Sequence, residues 1–120
     1  MSKIFALAVL MCVASSGAAS AHAHLVSSEP VGDAVVHIAP RQLKLTFSEA
    51  LEPKLSGVTV SASGKGETPT DAVTLADSDA KTLIVTLPAP LAAGTYTVGW
   101  HALSKDGHAT QSSYSFAVAP

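Results

Sequence analysis

The chain has 120 residues, with seven Lys and Arg against nine Asp and Glu, five His and a single Cys. This nearly balanced charge, without any run of basic residues, argues against a nucleic-acid-binding protein. A chain of this length accommodates one small domain rather than two. A single cysteine excludes an internal disulfide framework.

The first 21 residues have the features of a secretory signal peptide. Lys3 supplies the positive charge, Ile4 to Val13 form a short apolar run, and small residues lead to an A-x-A cleavage pattern. The run is too short to span a membrane. Cleavage after Ala21 exposes His22 and cleavage after Ala23 exposes His24. We favour cleavage after Ala21, which gives a signal peptide at 1–21 and one domain at 22–120. Either cleavage makes histidine the first residue of the mature chain.

Removal of the signal would leave a mature chain without sulfur. Cys12 lies inside the apolar run, and Leu10-Met11 before it lacks the small residue that precedes a lipidated cysteine. We therefore expect Cys12 to leave with the signal, together with Met1 and Met11. No later stretch has the length of a membrane span, so we expect a soluble mature protein, and a monomer.

Short segments of alternating apolar and polar residues follow one another along the rest of the chain, which is typical of β-strands. Segments rich in Pro, Gly, Asp and Ser separate them and predict turns. Residues 50–56 predict a short helical turn. About seven strands in a chain of about 100 residues predict an all-β, immunoglobulin-like sandwich. In chain order the predicted strands are 25–26, 35–38, 43–47, 58–60, 83–87, 96–100 and 114–118.

Two features indicate a metal site. An N-terminal histidine offers its α-amine and its imidazole to one metal ion as a chelate. Asp106 and His108, separated by Gly107, would project to the same side of an extended segment. Together with His22 they form a set of three nitrogens and one oxygen, which suits Cu(II).

Each of these features has an alternative interpretation. A DGH triplet alone is more often a surface turn, with Asp capping amides and Gly at positive φ. His24, third from the new terminus, could instead wrap Cu(II) with the amine, two deprotonated amides and its own imidazole. Glu49 follows a predicted strand and could approach the site or be an exposed charge. His101 and His37 are more simply explained as surface residues.

Four segments give a family resemblance: HAHLVSSEP (22–30), LTFSE (45–49), LAAGTYTVGWHALSKDGH (91–108) and YSFAV (114–118). In this order they resemble the periplasmic CopC-type copper-resistance family over essentially the whole predicted mature chain. The resemblance implies a Greek-key β-sandwich, often described as cupredoxin-like. It also implies one Cu(II) ion, a periplasmic location and an inner-membrane importer of the CopD type as partner.

The resemblance also assigns ligands. His22 matches the residue that binds through amine and imidazole, and Asp106 and His108 match the later pair. His24 and Glu49 match positions that join the site in some members only. A Met-rich loop that binds Cu(I) in some members is missing, because residues 61–72 contain no methionine. We therefore expect no Cu(I) thioether site.

The sequence thus favours a periplasmic protein that sequesters or delivers Cu(II), and not an enzyme. The main alternative is a small copper monooxygenase, because an N-terminal histidine with a second histidine also forms the brace used for oxygen activation. The chain's small size and the carboxylate of Asp106 weigh against it. A metal-free structural or adhesion domain ranks last, because it leaves the terminus and the D-x-H pair as coincidence.

Overall fold

Alternating apolar residues give each long strand one face in a shared interior between two sheets. The computed structural model describes residues 22–76, 78 and 80–120. The predicted signal peptide, 1–21, lies outside the described residues. In chain order the strands are β1 Leu25–Glu29, β2 Val35–Val36, β3 Gln42–Phe47, β4 Gly57–Ala62, β5 Gly66–Thr68, β6 Thr74–Leu75, β7 Thr82–Thr86, β8 Gly94–Leu103 and β9 Ala109–Val118.

The nine described strands form two sheets, in the orders β1-β3-β7-β6 and β2-β9-β8-β4-β5. All pairings are antiparallel except that of β2 with β9, which is parallel. The predicted all-β sandwich is confirmed. Within the part of the chain that is described, no helix is long and apolar enough to cross a membrane.

The strand count differs from the predicted seven because β5 and β6 are short strands at sheet edges. With two or three residues each, they leave too little alternation to be recognised. The strand predicted at 35–38 ends at Val36, and His37 and Ile38 lie exposed beyond it. The predicted helical turn at 50–56 is a single 3-10 turn, Pro53–Leu55.

Aromatic residues join the two sheets across the interior. Phe47 and Trp100 are in edge-to-face contact, with ring centroids 5.0 Å apart. Tyr96 and Phe116, which are paired on the neighbouring strands β8 and β9 of one sheet, stack at 5.7 Å. These four residues are buried. Tyr114, which packs beside Gly32, is only half-buried.

One end of the sandwich brings distant parts of the sequence together. The β8–β9 hairpin, paired over ten residues on each strand, turns there at residues 104–108. The loop after β3 reaches the same place, since Leu51 bridges to Ser104 and the Ala50 carbonyl accepts from the Lys105 amide at 3.0 Å. β1 pairs with β3, so the start of the described chain arrives at this end as well.

Candidate metal centre

The D-x-H pair lies in the turn of the longest hairpin and not in an extended strand. Residues 105–107 form the turn, which closes because the Ser104 amide donates to the His108 carbonyl at 3.0 Å and the Gly107 amide donates to the Ser104 carbonyl at 2.9 Å. Gly107 has φ +95°, which favours glycine. The expectation of extended backbone was therefore wrong at this point, because the pair stands in a turn.

The turn nevertheless brings Asp106 and His108 into contact. Oδ1 of Asp106 lies 3.1 Å from Nδ1 of His108, and both side chains are about half exposed. The contact therefore places one oxygen donor and one nitrogen donor side by side, of the kinds that Cu(II) binds.

A hydrogen bond from the Ser104 hydroxyl reaches the same oxygen of Asp106, Oδ1. This bond first, and the one from His108 second, lower the pKa of Asp106 below its ordinary value of 3.8. Asp106 is therefore a fixed, ionised oxygen donor at neutral pH.

The burial of one residue and three hydrogen bonds hold the segment that precedes β1. Ala23 is fully buried in the core cluster. The Thr110 hydroxyl donates to the Ala23 carbonyl at 2.9 Å. The amide of His24 donates to the Ser48 hydroxyl, and the amide of Ser48 donates to the His24 carbonyl, both at 2.9 Å. The backbone at 23–24 is thereby fixed, and the direction in which residue 22 leaves it is fixed too.

This anchoring places the imidazole of His22 against that of His108. The ring centroids are 4.9 Å apart and the ring planes are tilted by 35°. His22 itself is exposed. The predicted ligands His22 and His108 are therefore in contact, and Asp106 contacts His108.

Glu49 lies in the loop after β3, between the segment that precedes β1 and the hairpin turn at 104–108. Its neighbours in the loop, Ser48 and Ala50, contact the terminal segment and the hairpin turn respectively. The Glu49 side chain is half-buried, and within the described residues it shows no hydrogen bond or ion pair to His22, Asp106 or His108. It stays a secondary candidate.

The remaining histidines occupy different positions. The side chain of His24 is exposed at the start of β1, while its backbone is engaged by Ser48. His101 lies on the outer face of β8, where its ring packs over Gly57. His37 is exposed after β2. Among the described residues, no three side chains of His, Cys, Asp or Glu by themselves form a metal-binding group. The side chains of His22, Asp106 and His108, as placed here, therefore do not form such a group.

Sequence reasoning missed the residues that support the site. Ser104 precedes Asp106 by two positions, a spacing at which hydroxyls often bond within turns, and this signal was available. Thr110 and Ser48 gave no such signal, because their partners Ala23 and His24 are distant in sequence. Ala23 was read only as part of a cleavage pattern, whereas it is also a core residue.

The fold and these contacts define a small two-sheet β-sandwich with two histidines and a carboxylate at one end. The CopC domain matches residues 25–119. The copper resistance protein C of Xanthomonas campestris pv. juglandis is 41% identical over 123 residues, covering 97% of this chain and 96% of that protein.

Two solved structures are also similar. CopC from Methylosinus trichosporium OB3b superposes with a TM-score of 0.77 at 29% identity, covering 82% of this chain and 95% of the other. PcoC from Escherichia coli, described as a methionine-rich copper resistance protein, gives a TM-score of 0.74 at 36% identity, with coverages of 82% and 99%. The chain belongs to the CopC family.

Proposed function

We propose that this protein binds one Cu(II) ion at the end of the sandwich where His22 meets His108. The contact between these two rings, made by residues from opposite ends of the chain, carries the proposal. The names of its relatives as copper resistance proteins support the choice of metal. Copper is here the cargo of a binding protein.

The donors present fit a Cu(II) ion in number and type. We propose that His22 binds through its α-amine and imidazole, His108 through its imidazole, and Asp106 through its carboxylate. Two imidazoles on adjacent positions of one metal, at metal–nitrogen distances of about 2 Å, have centroids roughly 4.5 Å apart. The observed 4.9 Å is close to that value. The amine supplies the donor that the side chains alone lack.

The oxidation state follows from the donor chemistry. Nitrogen and carboxylate oxygen favour Cu(II), whereas Cu(I) prefers thioether and thiolate sulfur. Both methionines and the one cysteine precede residue 22. We therefore propose that the protein holds Cu(II) and has no thioether site for Cu(I).

The anchored backbone supports binding by His22 over the alternative mode centred on His24. That alternative requires the amides of Ala23 and His24 to turn toward the metal. The His24 amide instead donates to Ser48, and Ala23 is buried with its carbonyl bonded to Thr110. Adopting the alternative would break these contacts and expose Ala23, so we propose that the folded protein uses His22.

We propose that signal cleavage after Ala21 creates the site by freeing the amine of His22. Cleavage after Ala23 would remove a buried core residue and its bond to Thr110. The protein then acts in the periplasm, where it sequesters Cu(II) or delivers it. By resemblance, the recipient is an inner-membrane importer of the CopD type.

We propose a binding protein rather than a copper monooxygenase. The carboxylate of Asp106 lies against His108, where it would compete with oxygen for a position on the metal. Copper-dependent turnover of ascorbate or hydrogen peroxide on polysaccharides, at rates well above those of free Cu(II), would contradict this.

The proposed function is tested by titrating Cu(II) into the chain that begins at His22, in competition with a chelator of known affinity. His22→Ala and His108→Ala should each weaken binding by more than the about 100-fold that loss of a supporting residue can cause. His37→Ala, an exposed histidine beyond β2, is the matched control and should bind as the wild type does. Equal affinity in all four proteins would refute the proposed site.

A further inference from the structure

Ser104 is a buried hydroxyl inside an exposed turn. Its relative accessibility is 1%, whereas residues 105–108 are all exposed. A buried hydroxyl is costly unless its hydrogen bonds are made, so its partners show what it does.

The partners of its hydroxyl include both candidate ligands of the turn. The Ser104 hydroxyl donates to Oδ1 of Asp106. It also lies 3.3 Å from the amide nitrogen of His108, from which it can accept, and 3.2 Å from the His108 carbonyl. A hydroxyl has one proton and two acceptor lone pairs, so it can serve the carboxylate and the amide together. One side chain thus touches both residues.

We propose that Ser104 is a positioning residue for the Cu(II) site. Its hydroxyl holds Oδ1 of Asp106 and the backbone amide of His108, so that one side chain fixes both ligands of the turn. The proposal rests on the function proposed above, because it assigns a role within the same site. Residues that orient metal ligands in this way typically change affinity by about 10- to 100-fold when they are replaced.

The chain offers a matched control in Ser56. Ser56 is also buried, at 7% accessibility, and its hydroxyl donates to the Glu52 carbonyl and accepts from the Leu103 amide, at 2.8 Å and 3.0 Å. It therefore links backbone near the same strand without touching Asp106 or His108. Ser56→Ala and Ser104→Ala remove the same atom from similarly buried positions, and only the second removes it from the ligands.

The test compares Ser104→Ala, Ser104→Thr and Ser56→Ala by Cu(II) competition titration and by the electron paramagnetic resonance spectrum of the complex. We expect Ser104→Ala to bind about 10- to 100-fold more weakly and to show altered copper hyperfine splitting. Ser104→Thr, which keeps the hydroxyl, should recover most of the affinity. Ser56→Ala should lower the urea midpoint of unfolding while leaving the affinity and the spectrum unchanged.

Two results would overturn the proposal in different ways. In the first case, His22→Ala and His108→Ala lose Cu(II) binding, but Ser104→Ala has the affinity and the electron paramagnetic resonance spectrum of the wild type. Ser104 is then not a positioning residue, and the proposed function stands. If His22→Ala and His108→Ala have no effect, both proposals fail together.

A second measurement needs no variant and covers the case in which Ser104→Ala does not fold. In the metal-free wild type, three-bond couplings measured by NMR report whether the Asp106 side chain keeps one χ1 rotamer. A single rotamer supports the role of Ser104, because its hydrogen bond should restrict the Asp106 side chain even before the metal binds. Rotamer averaging of Asp106 would overturn it.

Discussion

The imidazole of His22 packs against that of His108, at a centroid distance of 4.9 Å, although the two residues lie at opposite ends of the described chain. Two separate structures produce this contact. The β8–β9 hairpin holds His108 in its turn. The segment that carries His22 is held by the buried Ala23, by the hydrogen bond from Thr110 to Ala23 and by the hydrogen bond from His24 to Ser48. Thr110 lies on β9, so the hairpin that carries His108 also helps to anchor the segment that carries His22.

The anchor of the terminal segment is tested by Thr110→Val. The substitution preserves shape but removes the hydrogen bond to the Ala23 carbonyl, so it should lower the free energy of unfolding by about 1 kcal/mol. It should also weaken Cu(II) binding, since His22 is then less well directed. Thr110→Ser, which keeps the hydroxyl, should restore the affinity. Chelator competition and urea unfolding check both parts, and unchanged affinity in Thr110→Val would contradict the anchoring role.

The competing chelate centred on His24 is tested by His24→Ala. Because the His24 amide is bonded to Ser48 in the folded protein, we expect this variant to keep nearly the wild-type affinity. Unfolding the wild type in urea should release the alternative, giving the visible spectrum of a square-planar, four-nitrogen Cu(II) complex that His24→Ala lacks. Finding that spectrum in the folded wild type would show that His24, and not His108, completes the site.

The lowered pKa of Asp106 predicts a pH-dependent stability in the metal-free protein. Its hydrogen bonds from Ser104 and then His108 favour the ionised carboxylate in the folded state. The stabilisation is complete above the ordinary Asp value of 3.8 and is lost as the pH falls through the lower folded-state pKa.

Urea unfolding at several pH values measures this effect. The stability difference between wild type and Asp106→Asn should be largest near neutral pH and should shrink in acid. Asp71→Asn, an exposed carboxylate outside the site, controls for the change in net charge. A difference between wild type and Asp106→Asn that is independent of pH would contradict the assignment.

The contact between Phe47 and Trp100 should dominate core stability near the site. Phe47 is 1% exposed and packs edge-to-face on Trp100. Phe47→Ala should therefore lower the free energy of unfolding by about 3–5 kcal/mol. Ile38→Ala, at a residue that is 85% exposed, should change it by less than about 0.5 kcal/mol. Similar losses in the two variants, measured by chemical denaturation, would argue against this packing.

The sequence predicted the sandwich because alternation is a strong signal in long strands such as β8 and β9. It could not show β5 and β6, whose few residues pair at edges through backbone atoms. The prediction that Asp106 and His108 lie close together assumed extended backbone. A turn brings them together instead.

The supporting contacts of the site were beyond sequence reasoning for a different reason. The bonds of Thr110 to Ala23 and of Ser48 to His24 join residues whose proximity exists only after the sheets have formed. Composition and local spacing carry no information about such pairs. Ser104 is the exception, because its partners lie within four residues.

The central claim is that the free amine of His22 completes the copper site, and one comparison tests it most directly. The chain beginning at His22 and a chain that retains Ala19 to Ala21 contain the same imidazoles and the same Asp106, and differ in where the amine lies. Competition titration with Cu(II) should show much tighter binding by the first chain. Binding should weaken in acid, because protons compete with the metal for the amine and the imidazoles. Equal affinity of the two chains would contradict the account.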